Sequence, residues 1–128
     1  MRITLQGYVE GEGEGEILYY DRYLSLYGEV DPSTSVIKPL GVAMAGKILV
    51  VKGIRGSTVG PYVMYALYRR GLQPSGIIAE SIDPLLAAAA VLSATPLASI
   101  EAITALPQKG RARLIVKPPS ALLEVNRS

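Results

Sequence analysis

The chain has 128 residues, 49% of them hydrophobic, and its 13 basic and 11 acidic side chains leave a formal charge of +2. That size and apolar content suit one soluble domain over 1–128, and the scattered charges argue against a nucleic-acid binder, which gathers basic residues on one face. With no cysteine and no histidine, disulfides, thiolate and imidazole catalysts, and the common zinc and iron-sulfur ligand sets are excluded for this chain by itself.

Residues 2–9, RITLQGYV, alternate in the manner of a half-buried strand, and 16–20, EILYY, predict a second. Between them EGEGEGE lacks the alternating Asp and Asn ligands of a calcium loop, and glycine at every second position predicts a solvated, hairpin-like connection. From Ser25 to Gly46 the text is turn-rich, punctuated by Gly28, Pro32, Pro39 and Gly41, and long irregular stretches of this kind are often functional loops. KILVV, 47–51, is a continuous apolar run that predicts a strand covered on both faces.

After the loop KGIRGSTVGP, the residues Val59, Tyr62, Val63, Ala66 and Leu67 recur at helical spacing, and Arg69 and Arg70 precede Gly71 as a stop signal. SGIIAE, 75–80, predicts another buried strand. Asp83 and Pro84 form an N-cap and first-turn pair for a second helix over LLAAAAVLSA. LASI, 97–100, and ARLIVK, 112–117, predict two further strands, and the tail after Pro118 and Pro119 has little to anchor it. The apolar stretch Pro84 to Ile100 is interrupted by Pro96 and is shorter than the roughly 20 residues of a membrane span. No secretory-signal pattern follows Met1, so a cytoplasmic protein without a membrane partner is expected. Strands and helices alternating through the middle of the chain predict an α/β domain of layered sheets with two main helices.

The loop between the KILVV strand and the first helix carries the chemistry. Gly53, Gly56 and Gly60 permit a tight backbone path, as in phosphate-binding loops. The Walker pattern needs Lys and then Ser or Thr after its last glycine, whereas here Pro61 follows Gly60. A serine-hydrolase elbow needs a glycine two residues to either side of the serine and a histidine elsewhere; Ser57 follows Gly56 directly and the chain has no histidine. Proline is tolerated only in the first helical turn, so the regular helix is expected to begin between Thr58 and Pro61, leaving Ser57 just ahead of it. There, free N–H groups and the positive end of the helix dipole suit an anion, and Arg55 adds a charge nearby. The plainer alternative is that Ser57 and Thr58 are caps and Arg55 is a solvated loop charge.

Five segments, LSLYGEVDPSTSVI, PLGVAMAGKILVV, GIRGSTVG, PSGIIAE and DPLLAAAAV, resemble in that order the small subunit of the aconitase X family, the swivelling domain of an aconitase-like dehydratase carried as a separate chain. The resemblance runs from about Tyr8 to Leu97. It implies a swivelling β/β/α fold and a large partner subunit in a hetero-oligomer. That partner is implied to hold a four-iron-four-sulfur cluster on its cysteines and to supply most of the substrate pocket, with no cofactor on this chain. Archaeal members of the two-chain form are phosphomevalonate dehydratases, so the implied reaction is loss of water from (R)-5-phosphomevalonate to give trans-anhydromevalonate 5-phosphate. The family's Gly-Ser serine matches Ser57, implied to be the base that removes the proton next to the substrate carboxylate. Gly56 and Thr58 would position it, Arg55 would assist, and Ser25 would wall the same cleft. The family commonly has Phe-Trp-Gly-Gly where this chain has Leu26, Tyr27, Gly28 and Glu29.

Two other readings stay open at this point. One is a small subunit of a cis-3-hydroxy-L-proline dehydratase, with the same serine acting on a substrate without phosphate. The other is a non-catalytic swivelling or anion-binding module in which Ser57 only caps a helix. The eight tyrosines suit either sheet packing or a protein interface.

Overall fold

The structure, a computed structural model, describes residues 1–126. Its strands are β1 Arg2–Val9, β2 Gly11–Ser25, β3 Val36–Ile37, β4 Val42–Ala43, β5 Ile48–Arg55, β6 Gly76–Ala79, β7 Leu97–Ser99, β8 Arg111–Lys117 and β9 Ser120–Asn126. The helices are α1 Leu26–Glu29, α2 Gly60–Arg69 and α3 Pro84–Leu92, with a short 3-10 turn at Ile103–Ala105.

Seven strands form a closed barrel in the order β1, β7, β6, β5, β2, β8, β9, and β9 pairs back onto β1. β2, β5, β6 and β7 run parallel; the remaining pairs are antiparallel. The expected sheet layers are thus arcs of one closed sheet, and the two main helices form a layer outside its parallel arc. Two apolar clusters follow from the period-2 alternation of the strands. Ile48, Val50, Ile78, Leu114 and Leu123 fill the barrel interior. Leu49, Val51 and Ile77 face outward and bury Met64 and Leu67 of α2 and Leu86 of α3. β5 is therefore covered on both faces, as its unbroken apolar run predicts.

Local signals set the helices. α2 starts at Gly60 with Pro61 in its first turn, inside the expected window. It ends at Arg69, followed by Gly71 with φ +70°, the left-handed conformation that glycine adopts without penalty. Asp83 caps α3, accepting the Leu86 N–H at 2.8 Å. α2 turns Tyr62, Tyr65 and Tyr68 to its exposed face, whereas Tyr20 is buried in the outer cluster.

Two expectations are corrected. EGEGEGE is no flexible connection: Gly11 to Glu16 are the first part of β2, paired in register with β8 from Val116 to Arg111. Alternation sends the glycines to one face, where other backbone crosses at contact distance; a Cβ on Gly13 would run into the Ser75 carbonyl and one on Gly15 into the Gly46 carbonyl. The glutamates on the other face meet arginines of β8, Glu14 with Arg111 at 3.3 Å and Glu12 with Arg113. The tail after Pro118 and Pro119 is likewise anchored. The two prolines form the turn into β9, whose Ala121, Leu123 and Val125 are buried. The stretch from Ser25 to Gly46 is mostly turns, organised by α1 and the small β3/β4 hairpin.

Candidate functional site

Ser25 and Arg55 are the last residues of β2 and β5 and lie directly opposite each other across the parallel pair. Immediately after Arg55 the chain turns at Gly56 with φ +98°. A Cβ at Gly56 would lie 3.1 Å from Ser25 Oγ. Three candidates from two separate parts of the sequence, Ser25 from one and Arg55 and Gly56 from the other, are thereby brought together. Ser25 itself is buried, at 8% exposure. Its hydroxyl caps α1 by accepting the Gly28 N–H at 3.1 Å.

Ser57 and Thr58 follow on an exposed turn between β5 and α2. The residue at the N-cap position of α2 is Val59, which offers no side-chain cap. Ser57 Oγ accepts the Val59 N–H at 3.2 Å, a local serine turn rather than a side-chain bond into the helix, and the Ser57 carbonyl accepts the N–H of Gly60, the first residue of α2, at 3.1 Å. Pro61 has no N–H and Tyr62 N donates to the Val59 carbonyl at 3.0 Å. Most first-turn donors of α2 are therefore spent locally. Among the described residues, the N–H groups of Ser57 and Thr58 make no hydrogen bond, which leaves them available to a ligand oxygen.

Sequence reasoning missed the group that ties this corner together. Glu29, at the end of α1, has a side chain only 18% exposed. Its Oε1 accepts the Ser25 N–H at 2.8 Å and lies 3.3 Å from Arg55 Nη2. Its Oε2 accepts the Tyr20 hydroxyl at 2.9 Å. Arg55 Nε also donates to the Tyr23 carbonyl at 3.3 Å, so the guanidinium is held at two points. Burial, and then the hydrogen bond to Glu29, push the Tyr20 phenol above its ordinary value of 10.0. The available signal was a glutamate four residues after a capping serine, one residue longer than the capping-box spacing. Tyr20, Glu29, Lys52 and Arg55 also line an open basin of about 720 Å³; Ser57 lies outside it.

A family model described as the aconitase X swivel domain matches residues 2–124. The chain belongs to the aconitase X swivel-domain family. Within it, the chain is 42% identical over 97 residues to the phosphomevalonate dehydratase small subunit of Aeropyrum pernix, covering 76% of this chain and 72% of that one. It is 33% identical over 130 residues to the corresponding subunit of Thermococcus onnurineus, covering 98% of both. The crystal structure of Thermococcus kodakaraensis aconitase X in its holo-form superimposes with a TM-score of 0.85 at 31% identity, over 95% of this chain and 98% of that chain. The swivel fold expected from the resemblance is thus shown, with its sheet-dominated body and few helices.

The iron-sulfur cluster expected for the aconitase X enzymes does not fit on this swivel domain. It has no thiolate and no imidazole, and no group of three or more acidic residues capable of holding a metal is found among the described residues. No described helix is long and apolar enough to cross a membrane.

Proposed function

We propose that this chain, as one swivelling domain over 1–128, is the small subunit of a phosphomevalonate dehydratase, a hydro-lyase active only with a large subunit. The observation that carries the reading is the similarity to archaeal small subunits of that name over three quarters or more of the chain. The cluster belongs on the large subunit, because this chain offers it no ligands. Ser57 is the residue presented to the substrate. Its Oγ, as the alkoxide, takes the proton from the carbon beside the carboxylate; that C–H electron pair forms the double bond as the C–O bond on the neighbouring carbon breaks. The departing hydroxide is protonated from solvent to water, and Ser57 returns its proton to solvent, so that H and OH are lost overall.

A serine hydroxyl is a weak base and must be activated. The Arg55 charge is paired with Glu29 at 3.3 Å, so Arg55 by itself contributes a reduced field at Ser57. The unpaired Ser57 and Thr58 N–H groups and charges of the partner subunit supply the rest of the stabilisation for the alkoxide. Thr58 and Gly56 position the serine; Ser25 walls the turn from below.

The test is anaerobic co-expression with the large subunit, followed by an assay for dehydration of 5-phosphomevalonate. Wild-type complex turns over, and Ser57→Ala assembles equally but loses at least about a hundredfold in kcat, the scale expected for removal of a proton-transfer group. Undiminished turnover in Ser57→Ala would reduce the serine to a turn residue. Wild-type complex that is inert on this substrate but active on cis-3-hydroxy-L-proline would overturn the substrate assignment.

A further inference from the structure

We propose that Glu29 is the positioning residue of the Ser57 turn: it fixes the two strand ends on which that turn is built and holds the Arg55 side chain away from free rotation. The proposal rests on the reading that Ser57 acts on substrate, and it deepens that reading.

The Ser57 turn leaves the barrel at Arg55 and Gly56, and its footing is the parallel pair Ser25 and Arg55. Parallel strands end here without a hairpin to join them, so nothing covalent fixes their relative height. Glu29 supplies that link. One carboxylate oxygen takes the main-chain N–H of Ser25 and the guanidinium of Arg55, at 2.8 and 3.3 Å. The other oxygen takes the hydroxyl of Tyr20 at 2.9 Å, and Tyr20 is anchored in the core at 4% exposure. The clamp therefore runs from the core through Glu29 to both strand ends. Gly56 then packs over Ser25, where an added Cβ would stand 3.1 Å from Ser25 Oγ, and this close approach passes the position of Ser25 on to the turn. Glu29 itself touches neither Ser57 nor the loop N–H groups, so its effect on chemistry is through placement.

The geometry also says which replacement preserves the clamp. In Glu29→Gln, a single amide oxygen retains both the Ser25 N–H and the Arg55 contacts, while the amide nitrogen donates to the Tyr20 hydroxyl, reversing that bond. Glu29→Ala removes all three.

The experiment compares Glu29→Ala, Glu29→Gln, Ser57→Ala and the double variant Glu29→Ala/Ser57→Ala in the assembled two-subunit enzyme. It is joined by backbone 15N order parameters of Gly56, Ser57 and Thr58 in the full small-subunit chain. Glu29→Ala is expected to lower kcat by at least about tenfold with KM changed less than about threefold, the pattern of an interaction expressed in the transition state. Glu29→Gln recovers most of that loss. In the Ser57→Ala background Glu29→Ala costs nothing further, because a positioning residue has no effect once the group it positions is gone. The order parameters of the turn fall in Glu29→Ala and return in Glu29→Gln.

Unchanged order parameters in Glu29→Ala, or a kcat loss that persists in the Ser57→Ala background, would overturn the proposal. If the double variant has no measurable rate, the order parameters decide. A Ser57→Ala complex with full turnover would sink the catalytic reading of Ser57 instead, and the two failures are distinct because the order parameters do not depend on catalysis.

Discussion

Gly56 lies against Ser25: the place where a Cβ would stand on Gly56 is 3.1 Å from Ser25 Oγ, and the Gly56 backbone is at φ +98°. Two penalties therefore fall on one substitution. Gly56→Ala is expected to cost about 1–3 kcal/mol from the left-handed backbone and the close contact together, and to displace the Ser57 turn. Gly41→Ala, at φ +66° with nothing within 4 Å, isolates the backbone part at about 1 kcal/mol. Urea denaturation of both variants measures the difference, and equal losses would show that the contact with Ser25 is unimportant.

Gly15→Ala is expected to unfold the chain or cost more than about 4 kcal/mol, because Gly15 is buried and its Cβ would run into the Gly46 carbonyl, a backbone atom that cannot swing aside. Glu14→Gln, one residue away on the exposed face, removes an ion pair with Arg111 whose two side chains are both about half exposed, and should change stability by less than about 0.5 kcal/mol. Thermal melts of the two variants separate a structural strand from a solvated connection.

Leu123→Ala tests the anchoring of the last strand. The side chain is fully buried in the barrel interior, so the truncation should cost about 2–5 kcal/mol. A loss under about 0.5 kcal/mol, the level of a surface change, would mean that β9 contributes little to the barrel.

Tyr20 predicts an alkaline sensitivity. Its folded-state value is raised above 10.0 by burial and by the bond to Glu29, so the unfolded chain ionises first. The stabilisation is complete below pH 10.0 and is lost as pH rises from there through the folded value. Denaturation between pH 8 and 11 should show a steeper alkaline loss in the wild type than in Tyr20→Phe, and parallel curves would contradict the assignment.

Much of the domain was determined by the sequence alone. The continuous apolar run of KILVV has no polar face to expose, so it becomes a strand buried on both sides. Asp83 with Pro84 starts α3, and Pro61 and Gly71 mark the two ends of α2, each acting on backbone within a few residues of itself. The absence of cysteine and histidine excluded a metal centre built on those ligands before any fold was known. The Gly-Ser turn stood out because glycine marks sharp backbone paths.

Tertiary structure decided what depends on contacts between distant residues. EGEGEGE is a strand because it pairs with β8 about a hundred residues on, and its glycines are required because the backbone of Ser75 and Gly46 crosses that face, relationships between segments far apart in the sequence. The closing of the sheet by β9 on β1 depends on pairing across the whole chain, which local periodicity does not encode. Glu29 was hidden for the same reason. Its role arises only when β2 and β5 end side by side, so that one carboxylate can reach Ser25, Tyr20 and Arg55 at once.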